Sequence, residues 1–176
     1  ADRSMLATVR NQINDLSKYL GLASQLPAQP TMTVNPQATQ AIKDVITAYL
    51  KVSEALSSDK LKEAKATSDA LSQAITKLPN SPLKKPLTES VSQYQKQPDI
   101  KTLRAKFQPI SDSLINLVKQ DAMDQIGDVY VIHCPMANGG KGADWLSSEP
   151  VVKNPYFGSS MYDCGNIKDT LSLKLP

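Results

Sequence analysis

Between residues 36 and 118, apolar side chains recur three or four apart in four successive runs, and a chain with that period has to bury one face of each of four helices. The first run is Ala38, Ile42, Val45, Ile46, Tyr49, Val52 and Leu56, a stripe wide enough to meet more than one neighbour. Asn35-Pro36 supplies its start, with proline in the first turn. Ser57-Ser58-Asp59 interrupts the pattern, and Asp59 is expected to cap orphan amides of the next helix. That helix carries Leu61, Ala64, Ser68, Leu71, Ile75 and Leu78, with many alanines that favour helix. So short a connection predicts antiparallel neighbours.

Pro79 to Pro86 reads as a turn region, after which Leu87, Val91 and Tyr94 mark a shorter helix ending before Pro98. Asp99 can cap a long final helix bearing Ile100, Leu103, Phe107, Ile110, Leu114, Leu117 and Val118. Pro109 lies inside it and predicts a kink, because it removes a backbone hydrogen bond and crowds the preceding turn. Upstream, Leu6, Val9, Ile13, Leu16 and Leu20 predict an amphipathic helix over residues 3–20, closed by Gly21. Pro27 and Pro30 then mark a linker.

Past Gly127 the period falls to two: Val129, Val131 and His133 alternate with Tyr130, Ile132 and Cys134, as in a strand. Gly139, Gly140, Gly142, Pro150, Pro155 and Gly158 deny regular helix to the next thirty residues or so, so a loop ordered by its own contacts or by a ligand is expected. Trp145, Tyr156 and Phe157 are expected to form a small aromatic core that fixes it. The closing stretch Thr170 to Leu175 alternates again and is expected to pair with residues 128–133. The architecture is therefore mainly α: an antiparallel bundle of four or five helices with a small two-stranded β element and an ordered Gly-rich C-terminal loop. Its parts are an N-terminal helix (1–21), a linker (22–35), the bundle (36–126) and a C-terminal motif segment (127–176), one domain overall. Because the helices carry their own apolar faces, the bundle is expected to form without the tail.

Charge narrows the function. Twenty Lys and Arg against 17 Asp and Glu, spread without a basic block, leave no electrostatic footprint for nucleic acid. No apolar run approaches the length of a membrane span, and no charged stretch followed by an apolar one opens the chain, so a soluble chain is expected, any export signal being removed or outside it. Catalysis finds little support. There is no Cys-x-x-Cys motif, Gly139-Gly140-Lys141-Gly142 lacks the spacing of a phosphate loop, and the adjacent His133 and Cys134 diverge in extended backbone.

What the tail concentrates is soft ligands. The only histidine, both cysteines and two of the five methionines lie in His133-Cys134-Pro135-Met136 and Met161-Tyr162-Asp163-Cys164. Thioether, thiolate and imidazole suit a thiophilic ion such as Cu(I) better than Mg, Ca or Mn. The same cysteines equally suit a disulfide closing a loop of about thirty residues, worth roughly 3–4 kcal/mol on the chain-entropy estimate. Both readings require the sulfurs to be close, and they stay open at this point.

Four short motifs follow in order: Val129-Tyr130-Val131-Ile132-His133-Cys134-Pro135-Met136-Ala137, Gly142-Ala143-Asp144-Trp145-Leu146-Ser147, Asn154-Pro155-Tyr156-Phe157-Gly158 and Met161-Tyr162-Asp163-Cys164-Gly165. With the helices before them, from roughly residue 37 to the end, they resemble the domain of unknown function 3347 family. The resemblance implies an exported bacterial protein, or a C-terminal module on periplasmic adaptors of copper and silver efflux pumps, with a helical bundle ahead of the tail. Its ligand-like positions fall on Cys134, Met136, Met161 and Cys164, with His133 as a further candidate at a position where the family varies. The expectation is a periplasmic, non-enzymatic module that binds Cu(I) or Ag(I) for efflux or buffering, partnered by an efflux-pump adaptor or another periplasmic protein. The alternative is a protein-interaction module whose loop is held by a Cys134–Cys164 disulfide.

Overall fold

The computed structural model describes residues 36–120 and 129–171, and residue 12 by itself. The chain divides into two compact units, Ala1–Thr33 and Val34–Pro176, and all that follows concerns the second. The helix expected over 3–20, its Gly21 cap, the linker and the Asn35 cap fall outside the described residues, Gln12 apart.

Four helices run in order: α1 (Pro36–Ser57), α2 (Leu61–Thr76), α3 (Lys84–Gln95) and α4 (Ile100–Gln120). Each packs on the next. Of the first stripe, every member from Ile42 to Leu56 is buried, and so are Ala64, Ser68, Leu71, Ile75 and Leu78, then Leu87, Val91 and Tyr94. The last helix buries Leu103, Phe107, Ile110, Leu114, Leu117 and Val118, and it continues through Pro109 as one element. Its start is capped as expected, the Thr102 amide donating to Asp99 Oδ1 at 2.9 Å. At the end of α2, Lys84 Nζ reaches back to the carbonyls of Leu78 (2.5 Å) and Thr76 (2.9 Å), acceptors that a helix C-terminus otherwise leaves to water.

Asp59 does something other than cap. Helix α2 has no side-chain cap at Lys60, and Asp59, at φ 59°, turns its carboxylate away toward the C-terminal segment.

The β part has three strands rather than two. Strand β1 (Val129–Cys134) lies between β2 (Ala143–Ser147) and β3 (Asn166–Leu171), antiparallel to both. Residues 143–147, expected as loop, form a strand because Ala143, Trp145 and Leu146 bury their side chains while Asp144 and Ser147 stay at the surface. The reversal from β1 to β2 needs left-handed backbone, supplied by Asn138 (φ 53°) and Gly139 (φ 67°), and is closed by the Gly142 amide on the Ala137 carbonyl at 3.0 Å. The C-terminal strand does pair with β1, but it begins at Asn166, four residues before the expected Thr170, and residues 172–176 lie outside the described part.

Strand β2 rests on α4. The Tyr49 hydroxyl of α1 accepts the Leu146 amide at 3.3 Å and bonds Ser111 Oγ of α4 at 2.7 Å. Burial raises the Tyr49 pKa above its ordinary value, which keeps the hydroxyl protonated. Apolar residues of the helices and of β1 and β2 form a single core, from Ile42 to Leu146.

Candidate functional site

Two segments converge at the end of β1. Strand alternation buries Cys134 completely while His133 points to the other, half-exposed face. The second segment returns after a 3-10 turn (Gly158–Met161) and brings Cys164 in front of Cys134, the two free sulfurs standing 3.0 Å apart. Contact with the Cys134 sulfur, then burial, raises the Cys164 pKa, and the Met136 amide bonded to its sulfur works in the opposite sense.

Asn154 is what holds this return in place. It is fully buried, its Nδ2 donates to the Cys164 carbonyl at 2.7 Å, and its Oδ1 accepts the amides of Tyr156 (2.8 Å) and Phe157 (3.3 Å). Its own amide donates to the Tyr162 carbonyl at 2.9 Å. Tyr156 then donates its hydroxyl to the Asp144 carbonyl at 2.6 Å and packs edge-on against Trp145, the ring centroids 5.9 Å apart, with Phe107 of α4 at the same distance on another side. Gly165 completes the fit: a Cβ there would stand 2.9 Å from Trp145 Cη2 and 3.1 Å from the His133 carbonyl. Only a residue without a side chain lets the chain pass between them.

A second tie joins the segment to the helices. Arg104 of α4 donates Nε to the Pro155 carbonyl (3.1 Å) and Nη2 to both the Leu56 carbonyl and Asp59 Oδ1 (2.6 Å each). Asp59 Oδ2 accepts the Ser159 amide at 2.9 Å. These bonds, Ser159 first and Arg104 next, hold the Asp59 carboxyl down at about 2. Gly158 has φ 59° and lies so close to Arg104 and Asp59 that a Cβ would collide with both.

The five candidate residues therefore fall into three groups. Cys134 and Cys164 meet. Met136 and Met161 flank them, each linked through its backbone to Cys164: the Met136 amide bonds its sulfur, and the Met161 carbonyl accepts its amide at 3.2 Å. Both methionines are exposed, at 53% and 42%, which is unusual for so apolar a side chain. His133 belongs elsewhere. Its Nδ1 lies 2.6 Å from Asp144 Oδ1, its cross-strand partner on β2, and Lys168 Nζ lies 2.7 Å from the other carboxylate oxygen. Burial works to raise the Asp144 pKa, but the bonds from Lys168 and His133 outweigh it and the carboxyl sits below its ordinary value. An ionised carboxylate only accepts, so Nδ1 carries the proton. Lys168 reaches this position because the β1–β3 register skips it between Ile167 and Asp169, a bulge that re-aims its side chain.

Asn154, Arg104, Asp59 and Lys168 were not among the sequence candidates. Asn154 had a signal, an asparagine ahead of proline with glycine four residues on, the pattern of a side chain that folds its own backbone. The other three act through partners remote in sequence.

As donors, the two facing cysteine sulfurs have the softness that a thiophilic ion prefers. Among the described residues no group of three or more His, Cys, Asp or Glu is placed to hold a metal ion.

A mainly helical domain whose small sheet and returning segment bring two cysteine sulfurs together, with an exposed methionine close to each in sequence, is the class that fold and site define. Residues 45–125 match the family model described as "Protein of unknown function (DUF3347)", and over that span the chain is similar to this family. The match lies on the helices, and the four motifs of the tail follow it. No curated protein and no solved structure matches the chain. Among the described residues, no helix is long and apolar enough to cross a membrane.

Proposed function

We propose that this chain is a periplasmic soft-metal module, not an enzyme, that takes one Cu(I) or Ag(I) on Cys134 and Cys164 with help from Met136 and Met161, for efflux or buffering. An efflux-pump adaptor or another periplasmic protein is the partner that would deliver or receive the ion. In this reading the helices act as an antiparallel bundle that supports the site, and the glycine-rich segment is the loop that presents it. The observation that carries the reading is the 3.0 Å contact of the two sulfurs. Two thiolates on a tetrahedral ion stand about 3.8 Å apart, given metal–sulfur bonds near 2.3 Å. Binding must therefore open the pair slightly, and the movement falls to Cys164, the less buried partner beside Gly165. His133 takes no part, being engaged with Asp144.

The test is anaerobic titration of the reduced chain with Cu(I), in competition with a Cu(I) chelator. One ion per chain is expected. Cys134→Ser or Cys164→Ser should weaken binding more than about a hundredfold, beyond what loss of an outer-sphere partner costs. Met136→Leu and Met161→Leu should weaken it less, and His133→Ala least. Unchanged affinity in both serine variants would remove the metal reading. The interaction-module alternative, in which a Cys134–Cys164 disulfide would hold the loop, would then stand, favoured by the exposure of Met136, Tyr162 and Ile167.

A further inference from the structure

The two cysteines are not equivalent, and the difference has a chemical meaning beyond metal binding. Cys134 has no accessible surface at the end of β1, whereas Cys164 lies partly open beside the exposed Met161 and Tyr162. A reagent arriving from solvent meets one sulfur only. Behind it, 3.0 Å away, the second waits at a distance that a small movement converts into a bond of about 2.05 Å. The surrounding structure keeps them facing: Asn154 fixes the Cys164 carbonyl, and Gly165 is confined beneath Trp145.

We infer that the pair is a thiol–disulfide exchange site with fixed roles, Cys164 as the entry thiol and Cys134 as the resolving thiol, acting on a small-molecule disulfide. In the first step Cys164 Sγ gives its proton to solvent and attacks one sulfur of the disulfide, forming a mixed disulfide and releasing one thiolate, which takes up a proton. In the second, Cys134 Sγ loses its proton and attacks Cys164 Sγ, closing the Cys134–Cys164 bond and expelling the second thiol. The sum is one disulfide reduced to two thiols and two protein thiols oxidised to one disulfide, so atoms and electrons balance. The inference stands apart from the metal reading, although the oxidised pair would have no thiolate to offer an ion.

The experiment uses the full reduced chain with a metal chelator present, so that its outcome does not depend on copper. Oxidised glutathione is added, and intact mass and the emission of Trp145, the only tryptophan, are followed in time. The wild-type chain should lose two hydrogens with little mixed disulfide accumulating. Cys134→Ser should stop at one glutathione per chain, on Cys164. Cys164→Ser should react at least about tenfold more slowly, because its remaining sulfur is enclosed. Brief alkylation of the folded wild-type chain, followed by peptide mass mapping, provides a check that needs no variant, and should label Cys164 ahead of Cys134. Equal labelling of the two, or a mixed disulfide formed as fast on Cys134 as on Cys164, would overturn the assignment of roles. A wild-type chain that accumulates the glutathione adduct without closing would overturn the exchange site itself.

Discussion

The helices and the segment that follows them are held by different means. From α1 to α4 stability is spread over many apolar side chains at helical spacing, each contributing a share of burial and none indispensable to the layout. From Asn154 to Leu171 there is little of this. Strand β3 buries no side chain, and the 3-10 turn buries only Gly158. Its position rests on a few polar ties, those of Asn154, Arg104 and Asp59, and on two glycines that permit close approach. A region built this way can yield locally while its support stays folded, which suits the proposed site, where the two sulfurs would part or join.

The largest effect should come from an attempt to break this division. Phe107 stacks on Tyr49 at 5.0 Å, tilts against Tyr94 at 6.4 Å and touches Tyr156, so it belongs to both regions. Phe107→Ala should cost about 3–5 kcal/mol, as deletion of a buried aromatic ring does. Denaturation followed by far-ultraviolet circular dichroism and by Trp145 emission should shift together. Were the two curves to separate, the core would not be continuous between helices and sheet.

Asn154→Ala sharpens the contrast. It leaves the Cys164 carbonyl and the Tyr156 amide without their partner, at a cost of about 2–3 kcal/mol. The loss should appear as faster amide exchange over residues 154–166 and greater reactivity of Cys134, with helical dichroism unchanged. A uniform loss of protection across α1 and α4 would show instead that the segment and the helices open as one.

The smallest effect concerns acid. The Asp59 carboxyl is lowered from 3.8 to about 2 in the folded chain, so its tie contributes fully above pH 3.8 and is lost as pH falls toward 2. Exchange in residues 155–160 should rise through that window while α1 and α4 stay protected. Asp59→Asn should raise the exchange at neutral pH and remove its dependence on acid over the same range. The side chain is largely exposed, so the step will be modest.

The same contrast explains what could be read from the sequence. Helix positions and their buried faces were legible because period and burial are one signal over eighty residues, with Asp99 and Pro98 setting a boundary. Strand β1 and the meeting of Cys134 with Cys164 were legible too, one from alternation and the other from clustered chemistry. Strand β2 was not, since five residues between glycines and prolines carry too little period to stand out. Asp59 was misread because a cap is a local explanation, whereas its partners, Arg104 and Ser159, lie 45 and 100 residues away. Beside the helices' own apolar faces, Tyr49 and Phe107 also make contacts with the sheet region that helical period does not reveal.

Amide hydrogen exchange of the reduced chain, with and without one equivalent of Cu(I) under anaerobic conditions, tests the central claim most directly: a locally yielding soft-metal site on a stable helical support. Bound Cu(I) should slow exchange at residues 134–136 and 161–166, where cysteines and methionines would close on the ion, and leave α1 and α4 as they were. No change in those two segments, or slowing spread evenly over the helices as well, would contradict it.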